Sequence, residues 1–126
     1  FFCEKIKLYF SRLASNKDEN PVVFQIKEYL HQNYAVPSLS VPDISEHVRL
    51  SPTYVCTLFK NETGQTLNQY LTDYRIKMSK QFLSDPLYKI TDISAKVGYS
   101  DGNYYSKAFR KIVGLSPSEY REKMLR

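Results

Sequence analysis

The chain has 126 residues, 42% of them hydrophobic, which suffices for about one domain with a core of its own. Its two cysteines, Cys3 and Cys56, form no CxxC pair and no His/Cys cluster, which argues against a disulfide framework and a metal site and makes a reducing cytoplasm the expected home. The net charge of +5 is uneven, since residues 1–65 carry seven Lys/Arg against seven Asp/Glu and residues 66–126 carry eleven against six; a polyanion suits such a surface, and a basic solvated face is the plain alternative.

No run approaches the ~18 apolar residues of a membrane span, so no membrane partner is expected. Residues 1–14 place Phe2, Ile6, Tyr9, Phe10 and Leu13 at helical spacing. They predict an amphipathic helix, either packed on the domain itself or serving as a connector from an upstream domain, followed by a polar linker to Asn20. A start at Phe1 without an initiator methionine fits a piece of a longer protein.

Asn20-Pro21 supplies an N-cap and an N1 proline, and Val22, Val23, Ile26, Tyr29 and Leu30 line one face of a support helix running to about Tyr34. After a break at 36–39, Ser40 with Asp43 resembles a capping box that opens a short helix. From there the sequence repeats. At an offset of 49, Asp43, Ile44, Ser45, Val48 and Ser51 match Asp92, Ile93, Ser94, Val97 and Ser100. At an offset of 50, Tyr54, Phe59, Lys60, Gly64 and Tyr70 match Tyr104, Phe109, Arg110, Gly114 and Tyr120. The one-residue slip falls near the start of the second helix of each unit.

Between the units, Thr66-x-x-Gln69 reads as a capping box, Leu67, Leu71, Tyr74, Met78 and Phe82 keep helical period, and Asp85-Pro86 stops the run. A joining helix over 66–85 would span about 28 Å, close to the roughly 34 Å between successive major-groove faces on one side of B-DNA. In the second unit Ile90, Ile93 and Val97 mark one helical face and Gly98 can take φ > 0 at the turn. Ser100 is placed to cap a second helix whose inner face is Tyr105, Phe109 and Ile112. Ser116-Pro117-Ser118-Glu119 opens a last helix over 116–125. The expected fold is all-α, with about seven helices and with two helix-turn-helix units, 40–64 and 89–114, joined by a long central helix inside a domain covering 21–126.

The order Ile-x-x-Ile-x-x-x-Val-Gly-Tyr-x-Asp-x-x-Tyr-Tyr-Ser-Lys-x-Phe-Arg-Lys-x-x-Gly-x-Ser-Pro-x-x-Tyr-Arg from Ile90 to Arg121 resembles the signature of the AraC/XylS family of bacterial transcription regulators. The resemblance implies sequence-specific binding of double-stranded DNA, with helices 52–63 and 101–113 in successive major-groove segments, no cofactor, RNA polymerase as a further partner of an activator, and an upstream sensing or receiver domain. The first unit's Ser-Pro-x-Tyr-Val-x-x-Leu-Phe-Lys-x-Glu-Thr-Gly most resembles members that serve as response-regulator outputs.

In a helix-turn-helix unit the N-terminal part of the second helix meets base edges. Similarity to the family carries that role onto Thr53, Cys56 and Thr57, none of which can make a bidentate bond. The second unit presents Gly102, Asn103, Tyr104, Ser106 and Lys107. Asn103 suits adenine and Lys107 suits guanine, so the second unit is expected to dominate selection. Asp101 is placed to cap rather than read. Lys60, Arg110 and Lys111, with the helix starts at Ser51 and Ser100, suit phosphates. Arg75 is expected to bond backbone across the units. Ser45 and Ser94, where many relatives have alanine, need a carbonyl one turn back. Tyr99 and Tyr105, where many have phenylalanine, must satisfy their hydroxyls. Arg49 replaces the usual turn glycine, which is tolerable if it avoids φ > 0.

Two other classes remain. An enzyme finds little support, because His31 and His47 are isolated and no phosphate loop, nucleophile elbow or carboxylate pair is present. A helical protein-interaction module is the serious alternative, since amphipathic helices bind partners as readily as DNA.

Overall fold

A computed structural model describes residues 19–125; the expected connector helix, most of the linker and Cys3 lie outside these. Among the described residues there are seven α-helices and no strand: α1 Pro21–Asn33, α2 Val41–Val48, α3 Pro52–Thr63, α4 Leu67–Leu83, α5 Ile90–Lys96, α6 Gly102–Val113 and α7 Pro117–Met124. Helix starts follow the capping chemistry. The Asn20 side chain accepts from the Val22 N–H at 2.8 Å, and reciprocal capping bonds join Thr66 to Gln69 and Ser116 to Glu119 at 2.9–3.1 Å. Asp43 accepts from the Ser40 N–H at 3.0 Å.

Two cores form, one per unit. Val23, Ile26, Leu30, Ile44, Val55, Phe59, Leu67 and Leu71 make the first; Ile76, Leu83, Ile93, Val97, Tyr105 and Phe109 make the second. Burying a side chain such as Phe59 or Phe109 stabilises by about 1.5–3 kcal/mol. Helix α4 serves both cores, so a single apolar stripe along it cannot hold. Leu67 and Leu71 face the first core, then the buried face turns by five residues to Ile76 and continues through Ser79 and Leu83. Tyr74, Met78 and Phe82, expected inward, are only half-buried. At 17 residues, α4 is about 25 Å long.

The repeat is visible in the backbone. Arg49 and Gly98 both take φ > 0, at 59° and 97°. The residue after each donates to the carbonyl of the repeat's serine, Leu50 to Ser45 at 3.1 Å and Tyr99 to Ser94 at 2.9 Å. After that point the units differ by one residue: α3 is capped by Ser51, whereas α6 is capped by Asp101. Ser100 is therefore the inserted residue, not the equivalent of Ser51, and the expectation that it caps the second helix is corrected. The carboxylate of Asp101 takes that place, which shortens the expected 101–113 helix to Gly102–Val113.

Two further expectations are overturned. Ile112 is 43% exposed, and Val113 packs on the second core instead, because Tyr105, Phe109 and Val113 fall four apart. Arg49 does lie at φ > 0, in the left-handed region. The turn geometry of the repeat requires that conformation, and in the first unit an L side chain bears the strain.

Candidate nucleic-acid interface

Helices α3 and α6 present matching surfaces. From 51 to 64 and from 101 to 114 the burial classes agree position for position. On α3, Val55 and Phe59 are buried while Thr53, Tyr54, Cys56, Thr57 and Lys60 are exposed. On α6, Tyr105 and Phe109 are buried while Gly102, Asn103, Tyr104, Ser106, Lys107, Arg110 and Lys111 are exposed. The two exposed faces pair as Thr53 with Asn103, Tyr54 with Tyr104, Cys56 with Ser106, Thr57 with Lys107 and Lys60 with Arg110. On α3, Thr53, Cys56 and Thr57 are short groups with single-bond capacity, and Lys60 is the cation of the last turn. Helix α6 holds an amide, an ammonium and, in the last turn, Arg110 and Lys111 where cations also complement the helix dipole.

The helix starts differ in electrostatics. Ser51 Oγ accepts from the Tyr54 N–H at 3.2 Å and leaves α3 a neutral N-terminus. At α6, Asp101 Oδ1 accepts from the Asn103 N–H at 2.8 Å, so a carboxylate already sits where an anion would bind. Ser100, exposed and one residue before that cap, loses the helix-start argument for phosphate contact. A Cβ added at Gly102 would meet only Ser94 Oγ at 3.8 Å, an ordinary contact, so internal packing does not demand glycine there.

Behind these faces lie the residues that hold them. Arg75, on α4, donates from Nε to the Tyr34 carbonyl and from a terminal nitrogen to the Val36 carbonyl, both at 2.9 Å, as its expected backbone role requires. Its guanidinium lies over the Tyr99 ring, 5.6 Å from the centroid. Burial draws the arginine's pKa down, with Tyr99 opposing; burial raises that of Tyr99, opposed by Arg75 and by a hydrogen bond with Thr72. A second arginine with the same habit escaped sequence reasoning. Arg121, on α7, donates to the Leu83 and Asp85 carbonyls at 3.0 and 3.1 Å. Those carbonyls stand 49 residues after Tyr34 and Val36, the offset of the repeat, but Arg121 stands 46 residues after Arg75, so the register pairs the acceptors and not the two arginines.

The substituted small residues are satisfied as expected: Ser45 Oγ donates to the Pro42 carbonyl at 3.0 Å and Ser94 Oγ to the Thr91 carbonyl at 2.9 Å. The Tyr105 hydroxyl is buried without a well-formed hydrogen bond, although Ser79 is beside it and spends its own proton on the Ile76 carbonyl at 2.7 Å. The histidines serve packing: His31 Nε2 lies 2.7 Å from the Tyr70 hydroxyl and its ring stacks on Tyr74, while His47 sits against Tyr29. Among the described residues no group of three or more His, Cys, Asp or Glu could hold a metal.

Comparison with known proteins places this arrangement. A family described as "Helix-turn-helix domain" matches residues 44–123. The Msm operon regulatory protein of Streptococcus mutans is 36% identical over 110 residues, covering 87% of this chain and 39% of that protein. The transcriptional regulatory protein HptR of Staphylococcus aureus is 35% identical over 111 residues, covering 88% of this chain and 43% of that protein. The chain thus spans about two fifths of the length of these relatives. The C-terminal domain of AraT, a response regulator from Geobacillus stearothermophilus, superimposes with a TM-score of 0.80 at 29% identity, covering 82% of this chain and 86% of that one. The repeated unit, the shared helix and these matches together make the chain a member of the AraC family of helix-turn-helix transcription regulators.

Proposed function

We propose that the domain binds double-stranded DNA sequence-specifically and thereby regulates bacterial transcription, with α3 and α6 in successive major-groove segments. The observation that carries this reading is the position-for-position match in exposure between the two helices, which gives one chain two copies of a groove-reading surface. Thr53, Cys56 and Thr57 contribute single contacts and thymine-methyl packing. Asn103 and Lys107 carry most of the discrimination, with Tyr104 and Ser106 beside them and Gly102 allowing close backbone approach. Lys60, Arg110 and Lys111 engage phosphates, as does the neutral start of α3 at Ser51. The carboxylate at Asp101 removes Ser100 from that set.

The domain works as the output of a longer cytoplasmic protein whose upstream part senses or receives a signal, in keeping with relatives that extend well beyond it and with AraT, a response regulator. RNA polymerase is the proposed second partner. Selection of bound sequences from a random duplex pool, with the salt dependence measured on the winner, tests the reading. DNA binding predicts affinity that falls steeply with ionic strength. A weak salt response together with no enriched sequence would favour a helical protein-interaction module instead.

A further inference from the structure

Among the described residues, Tyr34 is the one hydrophobic side chain that packs against both cores. It is the C-cap of α1, which belongs to the first unit, and its carbonyl accepts from Arg75 Nε at 2.9 Å. The second unit's turn closes on the same point. A Cβ at Gly98 would lie 2.3 Å from the Tyr34 carbonyl oxygen and 2.7 Å from Arg75 Nε, so the glycine backbone is pressed directly onto the first unit. Tyr99, the next residue, lies under the guanidinium. Two residues further on is Asp101, the cap of α6. A short, braced path therefore runs from the end of α1 through Arg75 and the Gly98-Tyr99 turn to the start of the second recognition helix. By contrast, Arg121 makes the same two-carbonyl fork between α7 and the end of α4, inside the second unit alone.

We propose that the Tyr34–Arg75–Gly98–Tyr99 joint fixes the placement of α6 relative to α3, and that Arg75 is a positioning residue that selects the spacing between the two half-sites in DNA. The proposal rests on the DNA-binding reading above. It follows from geometry: α4 alone is a single connecting rod, and a rod leaves the units free to swing about it unless a second tie crosses between them. The planar fork of arginine suits that tie because it fixes two carbonyls at once, and a lysine at the same place would keep the charge and lose the fork.

The test uses the full described domain and duplexes that carry the two selected half-sites separated by spacers of graded length. Wild type should lose on the order of tenfold in affinity when the best spacer is changed by one base pair. R75K should lose less than about threefold over the same change, while its base preference within each half-site and its far-UV circular dichroism stay as in wild type. R121K, which removes an equivalent fork within one unit, should keep the wild-type spacer profile. If R75K does not fold, Y99L replaces it, removing the ring under the guanidinium, and should flatten the profile in the same direction. An R75K or Y99L profile identical to wild type overturns the proposal, as does an R121K profile flattened to the same extent. Wild type that binds DNA without spacer discrimination overturns this inference alone; wild type that binds no duplex overturns the DNA-binding reading itself.

Discussion

Replacing Gly98 by alanine should be far more damaging than replacing either of the two other glycines with positive φ, Gly64 and Gly114. All three lie in the left-handed region, at φ of 97°, 80° and 90°, so each alanine carries a backbone strain of about 1–2 kcal/mol. For Gly64 and Gly114 nothing lies within 4 Å of the added Cβ, and that strain is the whole effect. At Gly98 the Cβ would sit 2.3 Å from a backbone oxygen, which cannot rotate away as a side chain could. The turn must move off Tyr34 and disturb the Arg75 fork, whose charge-assisted bonds are worth about 1.5–3 kcal/mol each. A total of about 2.5–5 kcal/mol results if one of the two bonds is lost. Against a domain stability of roughly 5–15 kcal/mol this is a large fraction. With each kcal/mol worth about 4–8 °C for a domain near this size, Gly98→Ala should melt about 10–40 °C below wild type, and Gly64→Ala and Gly114→Ala only about 4–16 °C below. Thermal and urea unfolding followed by circular dichroism measure all three. Agreement of the three variants within about 1 kcal/mol would refute the reasoning, because it would mean that strain alone, and not close approach to Tyr34, makes glycine necessary at the second turn.

Arg49→Gly should go the other way, stabilising by about 1 kcal/mol in urea titrations because the left-handed turn residue loses its Cβ strain; a loss of stability would show that the arginine side chain contributes more than its backbone costs. Cys56 is exposed in the free domain, so alkylation should be rapid there and slowed on the order of tenfold by bound duplex; equal rates in the two states would move α3 away from the groove. Burial raises the pKa values of Tyr34, Tyr99 and Tyr105 above 10.0, so the folded chain holds these protons more tightly than the unfolded chain. Their contribution to stability should be complete below the ordinary value of 10.0 and lost as pH rises through the folded values, and Tyr105→Phe should reduce that loss. Urea midpoints compared below and above pH 10 decide this; a Tyr105→Phe variant as alkali-sensitive as wild type would contradict it.

The parts of the fold that were legible in sequence are those set by local chemistry. Asn20-Pro21, Thr66 with Gln69 and Ser116 with Glu119 announce helix starts because the capping atoms lie within three residues of each other. The outward face of α6 followed from the spacing of Tyr105 with Phe109, and that of α3 from the resemblance that singled out Thr53, Cys56 and Thr57. What escaped depended on tertiary partners. The face switch from Leu71 to Ile76 requires knowing that α4 serves two cores, and the exposure of Ile112 requires knowing which neighbour the end of α6 meets. The one-residue slip was visible, but matching Ser100 to Ser51 by residue type hid which residue is the extra one, because a serine and an aspartate cap equally well and only backbone geometry shows which one does so. Arg49 followed the same pattern, since the turn imposes a conformation that its residue type does not favour. Arg121 was missed because its partners, Leu83 and Asp85, are distant in sequence.

Hydroxyl-radical footprinting of the selected duplex on both strands tests the central claim most directly. Two helices with matching exposed faces, held by one joining helix, should protect two segments on the same face of the DNA with centres about one helical turn, roughly 10 base pairs, apart. A single protected patch shorter than one turn would contradict the account, because it would leave one of the two faces without a groove to read.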